Sequence, residues 1–252
     1  MAADPETGII TDEKLTCASG EENSDASVAG EFVAAGADDP ARGGAGGPAG
    51  HDDNRAAGQV RQAAGGEPLA WYGDSAYGSG ELRETISQAG HQAVIKPRPV
   101  PRPVQGGFTI DDFTVSPDED AVTCPAGVTR PVARTGRVTF GAACRGCPLR
   151  DRCTTSADGR SLKLTAHDAT LRAARAAWTS DPGLRQAYAR YRPNIERTIA
   201  QTATWRGRRL KLRYRGVARN HAWLKRRTAA LNLRNLTGKG LTRHDGAWVL
   251  AT

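Results

Sequence analysis

Two carboxylates, far apart in the chain, stand where phosphate chemistry could use them. Asp74 closes a short apolar run, Leu69-Ala70-Trp71-Tyr72-Gly73, at a Gly-Asp-Ser-Ala-Tyr-Gly turn. Ligands of open α/β sheets gather outside the carboxyl ends of strands, so an acid at such a turn is placed for catalysis; it is equally placed to cap the helix that follows. Glu196 is the single acid between Arg185 and Arg243, a span with 17 Lys and Arg. A lone carboxylate in a basic run can be a salt-bridge partner and nothing more. Here Arg192 lies one helical turn before it and Ile195 and Ile199 lie beside it. A helix starting near Pro193 would hold Glu196 where apolar core meets basic surface. Phosphoryl transfer uses hard oxygen ligands to hold two Mg2+ ions about 3.5–4 Å apart, one activating the attacking oxygen and one stabilising the leaving oxygen. Asp74 and Glu196, with Arg192 in support, form a coherent pair for that chemistry.

A second group of residues has metal-ligating chemistry. Cys124, Cys144, Cys147 and Cys153 include one Cys-x2-Cys, the spacing that brings two thiolates to one tetrahedral zinc. The gap from Cys147 to Cys153 is long for a second knuckle and Cys124 is remote, so structural Zn2+ and unligated thiols both stand open. Cys17 stands apart and reads as a buried thiol. His91 and His167 flank predicted elements and read as packing or capping residues rather than ligands. The third group is cationic: Arg206, Arg208, Arg209, Lys211, Arg213, Arg215, Arg219, Lys225 and Arg226 interleave with Trp205, Tyr214 and Trp223. Cations mixed with aromatic rings suit phosphate contacts and occasional base stacking, although any one of them can be a solvated surface charge.

The elements that must position these groups follow from patterning. Residues Ile9 to Leu15 have the β-branched content of a strand, and Ser24 opens a capped short helix with Val28, Phe32 and Val33 on one face. From Gly36 to Gly66 the chain is Ala, Gly, Asp and Pro with almost no large apolar side chain, the composition of a disordered insert. A strand at Leu69 to Asp74, a helix from Tyr77 to Ala89 and a strand at Gln92 to Lys96 make a unit fit for a parallel sheet. Short β-like runs around the four cysteines, Phe108 to Leu164, predict a small separate lobe. Beyond His167 the pattern turns helical: Ala169 to Trp178, Gly183 to Tyr191, a stretch from Pro193 interrupted at Gly207 and Gly216, and Ala222 to Leu236.

Charge separates the two ends. The 252 residues carry +8 overall, yet residues 1–66 hold 12 acids against 4 bases, leaving +16 on the remainder, a balance that favours a polyanionic partner. Neither a membrane-spanning run nor a signal peptide is legible, so a cytoplasmic protein without a membrane partner is expected.

Five segments in order carry a resemblance: Gly-Asp-Ser-Ala-Tyr-Gly-Ser-Gly-Glu-Leu, Ala-Gly-His-Gln-Ala-Val-Ile-Lys-Pro-Arg-Pro, Phe-Gly-Ala-Ala-Cys-Arg-Gly-Cys-Pro-Leu-Arg-Asp-Arg-Cys, Arg-Pro-Asn-Ile-Glu-Arg and Leu-Arg-Tyr-Arg-Gly-Val-Ala-Arg-Asn. Together they resemble the C-terminal portion of bacterial DDE-type insertion-sequence transposases. The resemblance implies an α/β fold with a ribonuclease H-like core, a small β-rich cysteine-containing insertion and a C-terminal helical segment. In that family a first Asp sits on the first strand, a second Asp ends the fourth, and a Glu lies on a late helix. Asp74 matches the second Asp and Glu196 the Glu, the strand at Ile9 would be the third strand, and the helix from Ser24 the first helix. The implied division is a truncated start of the core over 1–35, the insert over 36–67, a strand-helix-strand over 68–104, the cysteine lobe over 105–165, C-terminal helices over 166–240 and a tail over 241–252.

Two departures matter. Nothing before Ile9 supplies the first two strands, so the first Asp is expected to be missing and the chain alone to be inactive. In a Tyr-x2-Arg-x3-Glu-x6-Lys signature found in many relatives, Arg192 and Glu196 fit, but Ala189 takes the tyrosine position and Ala203 the lysine position. The implied activity is Mg2+-dependent strand cleavage and strand transfer, the implied partners are transposon-end and target DNA, and the implied assembly is a homodimer. The rival reading is a noncatalytic DNA-binding protein with a zinc-stapled lobe and basic helices; a nuclease of similar core, making no joined product, is a weaker one.

Overall fold

A computed structural model describes residues 1–37 and 68–250. The insert expected over 36–67 lies outside the described residues from position 38 onward. The chain divides into two compact units, Met1–Lys96 with Ala177–Thr252, and Pro97–Ala176.

The first unit is mixed α/β. Strand β1 (Ala2–Ala3) pairs antiparallel with β2 (Ile10–Asp12). The strand expected over Ile9 to Leu15 is thus shorter, and it joins no larger sheet among the described residues. Asparagine amides complete its hydrogen bonding instead. Asn232 on helix α6 (Val217–Gly238) accepts from the Ile10 N–H at 2.8 Å and donates to the Ile10 carbonyl at 2.8 Å, while Asn235 donates to the Thr7 carbonyl at 2.8 Å. Backbone groups left without a strand partner need such substitutes when they are shielded from water.

Helix α1 (Asp25–Ala37) begins where Ser24 caps it, its hydroxyl accepting from the Ser27 N–H at 3.2 Å. Val28 and Val33 are buried, as their spacing predicts, while Phe32 is half-buried. Strand β3 (Ala70–Gly73) runs parallel to β4 (Gln92–Ile95), with Tyr72 opposite Val94, and helix α2 (Gly80–Gln88) connects them. The helix expected from Tyr77 starts later because Ser79 supplies its cap, accepting from the Leu82 N–H at 3.3 Å, and Ser75–Tyr77 forms a separate 3-10 turn. Val33, Leu82, Ile86 and Ile95 form the core here, with Trp71, Tyr77 and Ala93 packed around it.

Helix α5 (Pro182–Ala203) is one continuous helix of 22 residues with Pro193 inside it, where the sequence predicts a break. A proline in a helix removes one backbone donor and crowds the preceding turn, usually enough to end it. Tertiary contacts on both sides of the proline outweigh this: Tyr191 lies against Tyr72 with ring centroids 5.1 Å apart and donates to Glu6 at 3.0 Å, and Asn194 donates to the Pro5 carbonyl at 3.2 Å. At its C-terminal end the carbonyls of Gln201, Thr202 and Thr204 accept from Arg227 of α6 at 2.6–2.7 Å. Helix α6 itself starts five residues before the expected Ala222. Asn220, 2 % exposed, clasps the approach by donating to the Tyr214 and Gly216 carbonyls at 2.6 and 2.8 Å. Between α5 and α6 a hairpin pairs β10 (Thr204–Trp205) with β11 (Arg208–Arg209) through Arg206 and Gly207, both at positive φ. The expected tail carries a second hairpin, β12 (Thr242–His244) with β13 (Ala247–Val249), turning on Asp245-Gly246, the turn chemistry that favours a two-residue loop.

The second unit has its own core. A three-stranded antiparallel sheet of β5 (Thr114–Val115), β6 (Ala121–Thr123) and β7 (Thr129–Pro131) accompanies the pair β8 (Arg137–Thr139) and β9 (Ser161–Lys163). Phe113, Val122, Val138, Phe140 and Leu162 fill the space, with Phe113 and Phe140 centroids 5.5 Å apart. The short helix α3 (Arg150–Cys153) and the first turns of α4 (Asp168–Ser180) border it. Arg172 of α4 pairs with Asp168 and donates to the Phe113 carbonyl at 2.9 Å, and Arg175 grips Asp111 through two bonds of 2.6 Å. The cysteine-containing runs all fall within this unit, Pro97–Ala176, which extends beyond the β-like runs at both ends.

Candidate active site and nucleic-acid surface

The end of β3 presents Asp74 as expected. Gly73 avoids crowding just before it, since a Cβ there would stand 3.0 Å from Cβ of Tyr77. Asp74 leaves the strand extended, and its Oδ1 accepts from the Ala76 N–H at 2.8 Å, starting the 3-10 turn. Its Oδ2 lies 3.5 Å from Nη2 of Arg192. Capping and charge pairing, alternatives in the sequence, are divided between the two oxygens of one carboxylate.

On α5, Glu196 sits one turn beyond Arg192, and its Oε1 lies 2.6 Å from the same Nη2. One guanidinium nitrogen thus holds together two acids from remote segments. The opposite nitrogen, Nη1, donates to the hydroxyl of Tyr188 at 2.6 Å, and the Tyr188 ring in turn meets Trp178 edge-on at 5.2 Å. Tyr188 adjoins the Ala189 position and stands one full helical turn before Arg192. A Tyr-x3-Arg spacing on a helix was the signal available for Tyr188. Asp74 and Glu196 keep side-chain exposures of 42 % and 59 %, so both remain open to a cation or a phosphate. Tyr77, next to Asp74, has its phenol pushed up by burial and by the negative charges of Asp25 and Asp74. Ile195 is half-buried, whereas Ile199 is 41 % exposed, so α5 presents Glu196 nearer to solvent than its apolar neighbours suggest.

The cationic residues are spread over one continuous piece of chain in the same unit. Arg206, Arg208 and Arg209 lie on the β10–β11 hairpin, Lys211, Arg213 and Arg215 on the segment leading to α6, and Arg219, Lys225 and Arg226 on α6; all nine are exposed. Trp205 is 55 % exposed, with the Arg206 and Arg227 guanidiniums each 5.9 Å from its ring. Tyr214 is also exposed and Trp223 is half-buried. Arg227 differs from its neighbours because it is committed to the end of α5, a role that a bare count of cations does not reveal.

In the other unit Cys124, Cys144, Cys147 and Cys153 line one cavity with Phe108, Phe113 and Phe140. All are free thiols, and burial pushes the Cys153 thiol up. Cys17, expected to be buried, is exposed, because it lies in the irregular, polar stretch between β2 and α1 and packs into neither core. His91 behaves as a packing residue, stacked on Trp71 at 6.3 Å and accepting from the Leu69 N–H at 3.4 Å. Among the described residues no group of three or more His, Cys, Asp or Glu stands at spacing ready for a metal ion, and no helix is long and apolar enough to cross a membrane.

No curated protein and no solved structure matches the chain. A family model does: residues 123–237, which include Glu196, all four clustered cysteines and the whole basic run, match the model described as the transposase DDE domain.

Proposed function

We propose that the chain serves DNA strand cleavage and strand transfer of an insertion sequence, with Asp74 and Glu196 as two of the metal-holding acids, Arg192 as their positioning partner and the basic run as the DNA surface. The observation that carries this reading is the convergence of Asp74 Oδ2 and Glu196 Oε1 on one cationic nitrogen, at 3.5 and 2.6 Å. Hard, partly exposed carboxylate oxygens that already share a cation are the donor chemistry Mg2+ takes. When bound, Mg2+ would lower the barrier by activating an attacking oxygen and stabilising the leaving one. The protein's own groups do the rest. The Ala76 N–H fixes one oxygen of Asp74 and leaves the other turned toward Arg192, which Glu196 also faces. Tyr188 holds the far side of Arg192, so the guanidinium keeps its place between the acids. Exposed cations on the hairpin and on α6 neutralise phosphates and hold the strand. Water and a 3′-hydroxyl are alternative nucleophiles for one such site, which makes cleavage and joining successive uses of the same acids. Pairing two transposon ends calls for two copies of the chain.

A noncatalytic DNA-binding reading has one observation in its favour: Arg192 already neutralises both acids, and no third ligand joins them among the described residues. Nicking of a supercoiled plasmid carrying the element's ends, with Mg2+ present, separates the two. Under the proposal Asp74→Asn and Glu196→Gln abolish nicking while DNA affinity is retained, and Arg208→Gln with Arg209→Gln lowers affinity and flattens its salt dependence by roughly two units of log–log slope. Wild-type chain that binds the ends but never nicks them, alone or in the assembled complex, would leave the binding reading standing.

A further inference from the structure

The core of the second unit contains a cation without an anion. Arg160 is 7 % exposed and lines the same cavity as the four thiols. Its Nη1 donates to the Cys153 carbonyl at 3.4 Å, its guanidinium carbon lies 5.6 Å from the Phe113 ring centre, and its Nε meets no hydrogen-bond partner. The ion pairs of this unit join Asp111 and Asp168 to Arg172 and Arg175 and leave Arg160 out. A guanidinium stays charged when buried, and burial without a facing negative charge is strongly unfavourable. Neutral thiols do not supply that charge; thiolates do.

The local backbone is built to present sulfur. Cys124 opens a tight turn, Cys124-Pro125-Ala126-Gly127, in which the Gly127 N–H donates to the Cys124 carbonyl at 2.8 Å and Gly127 takes φ +82°. Cys144 ends the 3-10 turn Gly141–Cys144 and Cys147 follows it, and Arg150 clamps the exit by donating to the Cys144 and Ser156 carbonyls at 3.2 and 3.0 Å. The Arg160 N–H donates to Cys144 Sγ at 3.4 Å, a contact that gains strength as the sulfur becomes a thiolate. Gly159 allows this approach, since a Cβ there would lie 3.1 Å from the same sulfur.

We infer that Cys124, Cys144, Cys147 and Cys153 are the ligands of one structural zinc ion, with Arg160 as the buried counter-charge of the tetrathiolate. Each thiol gives up its proton on binding, no electron is transferred, and four thiolates around Zn2+ leave a net negative charge for Arg160 to offset. The four thiols line one cavity and, among the described residues, no three of them stand at metal-holding spacing, so zinc binding requires them to close on the ion. This inference is independent of strand transfer and stands or falls on metal content alone.

The test uses the full chain, purified reduced and without chelator. Expected are about one zinc per chain by atomic emission, retention of that zinc in Cys17→Ser, and its loss in Cys147→Ser and Cys153→Ser. Replacement by cobalt in the wild-type chain gives the absorption of a tetrahedral tetrathiolate, a readout that does not depend on any variant folding. Arg160→Gln weakens zinc about tenfold against a chromogenic chelator, the usual scale for a group supporting metal ligands. A folded, reduced chain that takes up neither zinc nor cobalt and shows all five thiols reactive would overturn the inference. Bound iron, or the cluster cysteines isolated as disulfides, would overturn it equally.

Discussion

Replacing Arg192 by Gln tests whether the two acids form a cation site or merely a surface ion pair. Its Nη2 faces Glu196 at 2.6 Å and Asp74 at 3.5 Å. At those separations two unit charges in water attract by roughly 1.2–1.6 kcal/mol. With the carboxylates 42 % and 59 % exposed, solvent and side-chain entropy reduce the net contribution, and pairs of this kind give about 0.2–1 kcal/mol each. Arg192 therefore opposes a divalent cation at these oxygens by about 0.4–2 kcal/mol, and Arg192→Gln is expected to tighten Mn2+ binding about 2- to 30-fold. The assay is titration of free Mn2+ by electron paramagnetic resonance in low salt, repeated at high salt, where the difference between wild type and variant shrinks as the ion pairs are screened. Glu196→Gln serves as the control that loses the site. Unchanged or weaker Mn2+ binding in Arg192→Gln would refute a competition between the Arg192 charge and a divalent cation at these oxygens.

Two further outcomes are expected. Phe140→Ala removes a ring that is 2 % exposed and packed on Phe113, and it should lower the stability of the chain to denaturant by about 3–5 kcal/mol, against roughly 0.5 kcal/mol or less for Ile199→Ala on the exposed face of α5. The phenols of Tyr72 and Tyr77 are pushed above their ordinary 10.0 chiefly by burial, and that of Tyr191 by its hydrogen bond to Glu6. Above that pH the unfolded chain loses these protons first, so the native state binds more of them and stability falls as pH rises. The contribution is complete below pH 10 and lost through the higher folded values; thermal melts of wild type and Tyr77→Phe across alkaline pH check this, the variant losing less.

The strand-turn chemistry of Asp74 was legible in residues 69–78, because an apolar run, a glycine and a capping acid are local signals whose meaning does not depend on the rest of the chain. The parallel β3–α2–β4 unit, the helical character of the last third, the isolation of Glu196 among cations and the separateness of the cysteine lobe were legible for the same reason. What local pattern could not decide was which contacts override it. Pro193 signals a break, yet α5 runs through it, because partners from Pro5, Glu6 and Tyr72 hold the helix on either side. The strand at Ile10 was visible, but not that its backbone would bond to the amide of Asn232, far along the chain. Cys17 was read as buried, whereas it is exposed in the irregular stretch between β2 and α1. Composition and spacing thus determined which residues are suited to bind cations and phosphates. Only the tertiary structure set Asp74 and Glu196 on one guanidinium nitrogen, brought Tyr188 behind it, withdrew Arg227 from the basic surface to the end of α5, and buried Arg160 among four sulfurs. Each of these pairs elements remote in sequence, and their proximity is a property of packing that no local window contains.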